Sequence, residues 1–367
     1  MQKTSLSALT LAAAAVVFGA SAWAQDAFMD EVASSVVRYA GPQSDWRGPT
    51  SAPAIQPDKH IAYLSSNQQN DASRIWGTHI EEIGATVGWE VTVIDGQGSP
   101  VGWQRAMDQA IALQVDGIVM DADAASLQPQ IEAARERGIT LVGIHAAAYP
   151  GPQDDIGLFY NIQQDPRDIG KAQADWIIQH SGGNARVVVT SHCEYAIACT
   201  KAHATEERLM ECEGCEVLEF SNSPIAEVAQ RQPALVTSWV QTYGTPLYIT
   251  SVADYTADYQ VPALRAGGVS PEQVILVSAD GNQSAYERIR AGDQYQQVTV
   301  SEPYRMQAFQ AIDELNRAFN GEGPSGFVQD PYLVTTDNVD AEGGDQNTFI
   351  PSNGYEAQYL KLWGIGG

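Results

Sequence analysis

Residues 274–304 read VILVSADGNQSAYERIRAGDQYQQVTVSEPY. The apolar run at the start of this stretch predicts a strand that ends at Asp280, and the amphipathic segment after it predicts a helix. A Gly-Asp turn leads to a second short apolar run, which ends at Glu302. Because two strands of one sheet joined by a helix form a right-handed βαβ unit, the stretch indicates an α/β fold with a parallel sheet.

Two acidic residues stand at the ends of these two predicted strands. In open α/β sheets, ligands bind beyond the carboxyl ends of the strands. We therefore expect the carboxylates of Asp280 and Glu302 to point into one cleft. The alternative interpretation is that Asp280-Gly281 forms only a turn that caps the following helix.

The same alternation of strand and helix extends over most of the chain. Three strand–helix units are predicted from His60 onward, and the pattern restarts with a helix at Arg167. Such alternation predicts doubly wound parallel sheets. A chain of 367 residues is too long for one simple core, so we expect two such lobes, joined by a three-strand hinge, with a ligand cleft between them.

This pattern divides the chain into five predicted parts. They are a signal peptide at 1–24, an extension at 25–59, an N-terminal lobe made of 60–164 and 303–331, a C-terminal lobe made of 165–302 and 332–345, and a C-terminal tail at 346–367.

The first of these parts has the features of an export signal. Lys3 supplies a positive charge, residues 9–20 form an apolar run, and residues 22–24 read AWA, a small-x-small cleavage site. The pattern predicts a secretory signal peptide, and hence a protein of the periplasm. The apolar run is too short to cross a membrane as a helix, which argues against the alternative of a retained anchor.

The chain is strongly acidic, with a formal net charge of −25. Nucleic acids and anionic membranes are bound through clustered lysines and arginines, so this charge argues against both as partners. The acidic residues are scattered, which is typical of a solvated surface. No dinucleotide fingerprint, P-loop or zinc-protease motif occurs, and we expect no cofactor.

All four cysteines fall in one segment of the predicted C-terminal lobe, at Cys193, Cys199, Cys212 and Cys215. Disulfides are expected in an exported protein, and four cysteines allow three pairings. We favour Cys193–Cys199 with Cys212–Cys215, because each bond then closes a small loop. The alternative is a zinc site completed by His192 and His203, but an oxidising compartment disfavours it, and we expect no metal.

The order of predicted elements over residues 60–338 resembles the periplasmic sugar-binding proteins of ABC importers, of the ribose-binding type, which share their core with lactose-repressor-like regulators. The segments that carry the resemblance are IAYLSSNQQN (61–70), VDGIVMDADAAS (115–126), ITLVGIH (139–145), DIGKAQADWI (168–177), DYTADYQVPALRAGG (254–268), VILVSADG (274–281) and VTVSEP (298–303). The resemblance implies a type I periplasmic binding protein that closes around a small sugar or polyol and delivers it to an ABC permease in the inner membrane. We expect a monomer without enzymatic activity.

The resemblance also implies which residues line the pocket. The polar residue after the first strand falls on Asn70, with Asn67 close by. The family's strand-end aspartate is kept as Asp280. The nearest candidate for its pocket cation is Lys201.

At other positions this chain departs from the family pattern. The two aromatic residues that stack on the sugar are replaced by Ala72 and Ser73, and a strand-end carboxylate is replaced by His145. A pocket asparagine is missing, although Asp254 stands beside its position. The amide at the last crossing is Glu302 here. The scaffold therefore matches better than the usual pentose pocket does.

These residue types suit a hydroxyl-rich ligand. Carboxylates, amides and cations form charge-assisted hydrogen bonds to hydroxyls, and aromatic faces cover the C–H faces of a sugar. The favoured aromatic candidates are Tyr195, in the loop that the first disulfide would hold over the cleft, and Tyr255. The acidic bias predicts a neutral polyhydroxyl ligand or a cation. The predicted ligand-binding set is Asn67, Asn70, His145, Tyr195, Lys201, Asp254, Tyr255, Asp280 and Glu302.

Two other functions stay open from the sequence. The same fold can serve a ligand-binding sensor that acts on a chemoreceptor or kinase. Asp280 and Glu302 could instead form the acid–base pair of an exported carbohydrate hydrolase. Such a pair needs pKa values moved in opposite directions, and sequence does not reveal them.

Overall fold

The computed structural model describes residues 9–366, with side chains from Gln25 onward. Residues 1–8 of the predicted signal peptide, and the side chains of the rest of it, lie outside the described residues. Helix α1 (Leu9–Ala40) continues from this segment into the predicted extension. None of the helices in the described part of the chain is both long and apolar enough to span a bilayer.

The first lobe is built on a six-stranded sheet. Its elements are β1 (His60–Ser65), α2 (Asp71–Val87), β2 (Glu90–Asp95), α3 (Pro100–Ala112), β3 (Gly117–Met120), α4 (Gln128–Glu136), β4 (Thr140–Ile144), β5 (Gly151–Gln153), β6 (Leu158–Ile162) and α10 (Tyr304–Phe319), with 3₁₀ turns at Ala124–Leu127 and Asp154–Ile156. The strand order is β2-β1-β3-β4-β6-β5, and every pair is parallel except β5 with β6.

The second lobe repeats this plan. Its elements are α5 (Pro166–His180), β7 (Arg186–Ser191), α6 (Ala196–Met210), β8 (Glu216–Asn222), α7 (Val228–Tyr243), β9 (Leu247–Thr250), α8 (Tyr255–Ala266), β10 (Val274–Asp280), α9 (Gln283–Ala291), β11 (Gln296–Ser301) and β12 (Tyr332–Val334), with 3₁₀ turns at Ile225–Glu227 and Gly344–Gln346. The strand order is β12-β11-β10-β9-β7-β8, and only the β11–β12 pair is antiparallel.

These two lobes confirm the predicted fold class. The unit β10–α9–β11 is the βαβ unit predicted from residues 274–304. Central strands such as β1 and β3 are buried along almost their whole length because helices cover both faces of the sheet. This burial explains why the strands are nearly continuous apolar runs in the sequence.

The predicted extension and tail pack into the two hydrophobic cores. Helix α1 packs against α5, and Val32 and Tyr39 are buried in the second lobe. The chain then reaches the first lobe, where the ring centroids of Trp46 and Tyr359 lie 5.3 Å apart. Helix α11 (Tyr355–Leu362) packs against α10, and Trp363 after it is buried. The extension therefore contacts both lobes.

Both predicted disulfides are present in the second lobe, which confirms their pairing. One joins Cys193 to Cys199 at the start of α6, and the other joins Cys212 to Cys215 just after α6. No free cysteine remains among the residues that the structure describes.

Candidate ligand-binding site

A cavity of about 130 Å³ lies between the two lobes, at the carboxyl ends of their strands. Both lobes contribute polar and aromatic side chains to its wall, so a molecule inside it would contact both at once. The lining includes Asn70, Trp76, Asp121 and His145 from the first lobe, and Tyr195, Lys201, Tyr255 and Asp280 from the second.

A buried lysine lies at the centre of the second-lobe wall. Lys201 belongs to α6, and its side chain is only 4% exposed. Its Nζ lies 3.1 Å from Asp280 Oδ1 and 3.8 Å from Glu302 Oε1. Burial alone would lower the pKa of Lys201, but the negative charges of these two carboxylates outweigh it and raise the pKa. The lysine is therefore a cation held between two anions.

Close packing of two helices brings Lys201 to this position. Gly170 on α5 faces the backbone of α6, and a Cβ atom at residue 170 would lie 2.5 Å from the Lys201 carbonyl oxygen. Any larger residue would push the two helices apart, because protein interiors have no spare space for it. The glycine therefore fixes how far the lysine reaches into the cavity.

Glu302 lies directly behind the cavity wall and is fully buried. Its Oε2 accepts a hydrogen bond of 2.7 Å from Gln307 Nε2, and its Oε1 lies 3.4 Å from His145 Nε2. Burial favours the neutral acid, but His145 and Lys201 together lower the pKa of Glu302. Contrary to the expectation of direct contact, Glu302 does not line the cavity, but it lies next to two residues that do, His145 and Lys201.

Two residues of the site have an uncommon backbone conformation. His145 and Asp280, each following or ending a strand, have φ angles of +56° and +93°. Positive φ in residues other than glycine is costly and clusters at functional sites. The neighbouring Gly281, with φ of +74°, has no room for a side chain, since a Cβ would lie 1.8 Å from Ser301 Oγ. This local geometry turns the Asp280 carboxylate toward Lys201.

Aromatic rings cover two sides of the cavity. The ring of Trp76 meets that of His145 edge-on at 5.0 Å between centroids, and its Nε1 donates a 2.7 Å hydrogen bond to Gln307 Oε1. On the opposite side, Tyr255 stacks on His192 at 5.5 Å. The Tyr255 hydroxyl is buried and has no hydrogen-bond partner in the described chain. A buried hydroxyl without a hydrogen-bond partner favours a ligand that can form a hydrogen bond with it.

Asp121 is a pocket residue that the sequence analysis did not single out. It follows β3, and its carboxylate accepts hydrogen bonds from the amide and the hydroxyl of Ser66. Burial raises its pKa to about 6, although its hydrogen bonds oppose the rise. Asp121 could have been predicted from the sequence, because the strand-end rule that pointed to Asp280 applies equally to the strand that ends before Asp121.

The structure does not bring every predicted residue to the cavity. Asp254 is fully buried beneath the loop after β10, and its two oxygens accept hydrogen bonds from Ser278, Gly281, Asn282, Gln296 and Thr299. Its role is to position that loop. Asn67 lines a neighbouring groove instead of the cavity. By contrast, Asn70, His145, Tyr195, Lys201, Tyr255 and Asp280 all line the cavity.

The predicted alternative of a zinc site is not supported by the described residues. Within them, one group has metal-binding side chains close enough together, namely Cys193, Cys199 and His203. The two sulfurs of this group form a disulfide, so they offer no thiolate. His192 points its Nδ1 at the Ser223 carbonyl oxygen, 2.6 Å away.

Comparison with known proteins gives a consistent result. The periplasmic binding protein domain family matches residues 61–323. No curated protein matches the chain. One similar solved structure is the periplasmic binding protein component of the arabinose ABC transporter from Shewanella sp. ANA-3, bound to α- and β-L-arabinofuranose. It is 15% identical, with a TM-score of 0.69 over 82% of this chain and 98% of that chain.

Two further structures are equally similar. An ABC transporter solute binding protein from Agrobacterium vitis with bound allitol is 18% identical, with a TM-score of 0.68 over 77% of this chain and 97% of that chain. Another ABC transporter solute binding protein, from Bacillus halodurans C-125 with bound myo-inositol, is 18% identical, with a TM-score of 0.68 over 77% of this chain and 96% of that chain. At such identities the likeness establishes the fold alone.

The family match covers well over half of the chain, and it spans both lobes and every residue of the cavity wall named above. The predicted resemblance is therefore confirmed, and the chain belongs to the periplasmic binding protein domain family.

Proposed function

We propose that this protein is the solute-binding component of an ABC importer and binds a small sugar or polyol between its lobes. One observation carries the proposal: an interlobe cavity with aromatic walls contains a buried lysine held between Asp280 and Glu302. The family and the sugar- or polyol-bound neighbours support it.

The charges of the cavity favour a neutral ligand with many hydroxyls. An anion would face Asp121 and Asp280, whereas a cation would approach Lys201. A hydroxyl both donates and accepts hydrogen bonds, so a polyol can satisfy the ammonium and the carboxylates together. Hydrogen bonds to charged groups are the stronger ones, contributing about 1.5–3 kcal/mol each.

The size of the cavity suits one ring. A buried apolar cavity of about 150 Å³ holds benzene, so a space of 130 Å³ is comparable to one six-membered ring. Trp76 and Tyr255, on different lobes, can cover the C–H faces of such a ring.

Binding is proposed to stabilise the closed arrangement of the lobes. A ligand in the cavity contacts His145 and Trp76 from one lobe and Lys201 and Tyr255 from the other. These contacts exist together only when the lobes are closed, which gives the ligand a higher affinity for the closed form. The closed protein would then present one combined surface to a permease in the inner membrane.

Family membership implies a location in the periplasm. We propose that residues 1–24 are a signal peptide, cleaved after Ala24, and that the mature chain acts as a monomer.

The hydrolase alternative is disfavoured by the site. Glu302, one of the two carboxylates that such an enzyme would need, is fully buried behind the wall and does not line the cavity.

The test is a thermal-shift screen of sugars and polyols, followed by calorimetry on the compounds that stabilise the protein. A ligand at one hundred times its Kd adds about 2.7 kcal/mol to the free energy of unfolding. Asp280→Ala should abolish the shift, whereas the exposed control Asp293→Asn in the same lobe should keep it. Unchanged affinity in Asp280→Ala, or no response to any polyol, would overturn the proposal.

A further inference from the structure

A wide groove opens from the cavity along the interface between the lobes. It measures about 710 Å³, several times the volume of the cavity itself. The two spaces adjoin, because they share lining residues from both lobes, including Asn70, Tyr255, Asp280 and Tyr304. A molecule anchored in the cavity can therefore extend into the groove without a change in the fold.

The groove has an apolar platform on its second-lobe side. Tyr255 and Tyr259 are one helical turn apart on α8, so they lie on the same face of that helix. Tyr255 forms part of the cavity wall, and Tyr259 continues the aromatic surface into the groove, where it is 38% exposed. Ile225, which is 39% exposed, lies in the same wall. Large exposed apolar side chains grouped in a concave surface indicate a binding site.

Fixed polar groups surround this platform. The Asp258 carboxylate is held by Arg288 and by the Ser284 hydroxyl, which donates a 3.1 Å hydrogen bond. Gln283 Nε2 donates a 2.8 Å hydrogen bond to Glu287 Oε1. Acceptors that are already oriented lose little freedom when a ligand binds. An aromatic face bordered by carboxylates and amides has the chemistry of a second hydroxyl-bearing ring, not of an apolar chain.

The opposite wall of the groove belongs to the first lobe and includes Tyr304 and residues before and at the start of α2, namely Asn67, Gln69, Asn70, Asp71 and Ala72. Asn67, which was predicted to bind ligand, lies here. Its Oδ1 accepts a 3.0 Å hydrogen bond from the Gln69 amide, which fixes the side chain in this wall. A second ring would therefore bridge the lobes as the first ring does.

We propose that the preferred ligand is a disaccharide, with one ring in the cavity and the second ring in the groove, on Tyr259. This inference rests on the function proposed above, because the cavity supplies the anchor. If the groove served only as the path by which a single ring enters the cavity, it would need neither an aromatic platform nor oriented hydrogen-bond acceptors. The occupant of the groove is then the second sugar ring. The glycosidic oxygen that joins the two rings would lie near Asn70 and Asp280, which line both the cavity and the groove.

The test compares matched pairs of sugars by calorimetry: galactose with lactose and melibiose, glucose with cellobiose and trehalose, and xylose with xylobiose. In at least one pair, the disaccharide should bind about tenfold or more tightly than its monosaccharide, which corresponds to about 1.4 kcal/mol. Tyr259→Ala should remove most of that advantage and leave monosaccharide binding unchanged. Tyr149→Ala is the control, because Tyr149 is similarly exposed, at 45%, and lines neither space.

The outcomes separate this inference from the proposed function. If monosaccharides bind as tightly as every disaccharide, or if Tyr259→Ala does not alter the ratio between them, the disaccharide assignment is wrong and the sugar-binding function stands. If neither member of any pair binds, the disaccharide assignment is overturned, and the thermal-shift screen of the wider set of sugars and polyols decides the proposed function separately. A disaccharide advantage that Tyr259→Ala removes and Tyr149→Ala keeps establishes the second ring in the groove.

Discussion

Replacing Lys201 by methionine should destabilise the ligand-free protein by about 3–5 kcal/mol at neutral pH, the cost of breaking a buried ion pair by removing one partner. Methionine keeps the length of the side chain but removes its charge. The carboxylate of Glu302, which is 1% exposed, then retains only Gln307 at 2.7 Å and His145 at 3.4 Å. Asp280 is 28% exposed, so the loss of its partner adds little.

The loss should depend on pH in a defined direction. In the wild-type protein the pKa of Glu302 is below its usual value of 4.5, so its stabilising contribution is present above pH 4.5 and is lost as the pH falls through the lowered pKa. Without Lys201, this pKa should rise from its wild-type value, although His145 still opposes the effect of burial. Protonation would then relieve the unpaired charge at a higher pH than in the wild type, and the difference between variant and wild type should shrink as the pH falls through the raised pKa of the variant.

Urea denaturation followed by circular dichroism at a series of pH values from 7 down to about 3 measures both effects. The matched control is Lys171→Met, because Lys171 is 32% exposed and the buried carboxylate that it faces, that of Asp175, keeps a second cation, Arg208, at 2.6 Å. Its loss should be below about 1 kcal/mol. Equal losses in the two variants, or a loss in Lys201→Met that does not change with pH, would refute the reasoning.

The remaining predictions concern the tail and the cysteines. Trp363→Ala should reduce the free energy of unfolding by about 3–5 kcal/mol, because the indole is 1% exposed and packs beside Phe309 and Tyr359. A loss below about 1 kcal/mol in urea denaturation would show that the tail is dispensable. Thiol titration of the denatured, unreduced protein should detect no free thiols, and finding four would contradict both disulfides.

The binding site is built where the chain crosses between the lobes. Glu302 stands at one crossing, between β11 of the second lobe and α10 of the first. Its carboxylate receives a hydrogen bond from Gln307 in the first lobe and faces Lys201 in the second. Trp76, on the cavity wall, is joined to the same glutamine. Changes at this buried chain of contacts should therefore affect ligand affinity and lobe closure together.

Several site residues were predictable because strand ends can be recognised in the sequence. Asp280 and His145 end or follow apolar runs, and Tyr195 lies in a loop that two cysteines mark. The family resemblance gave Asp254 as a ligand contact, which the structure does not support. Asp254 is turned inward because the loop after β10 carries backbone amides that need an acceptor. The sequence does not reveal whether the carboxylate of Asp254 or that of Asp280 points into the cavity.

The two doubly wound lobes and the small disulfide loops could be predicted from the amino-acid sequence, since apolar runs, helical periodicity and short cysteine spacing are local properties of the chain. Three features became evident only in the folded chain: Lys201 is buried between Asp280 and Glu302, Asp121 lines the cavity, and Trp363 belongs to a core. These facts depend on where two lobes meet and which helices pack together. Contacts between residues far apart in the chain leave no periodic pattern in the sequence from which they could be predicted.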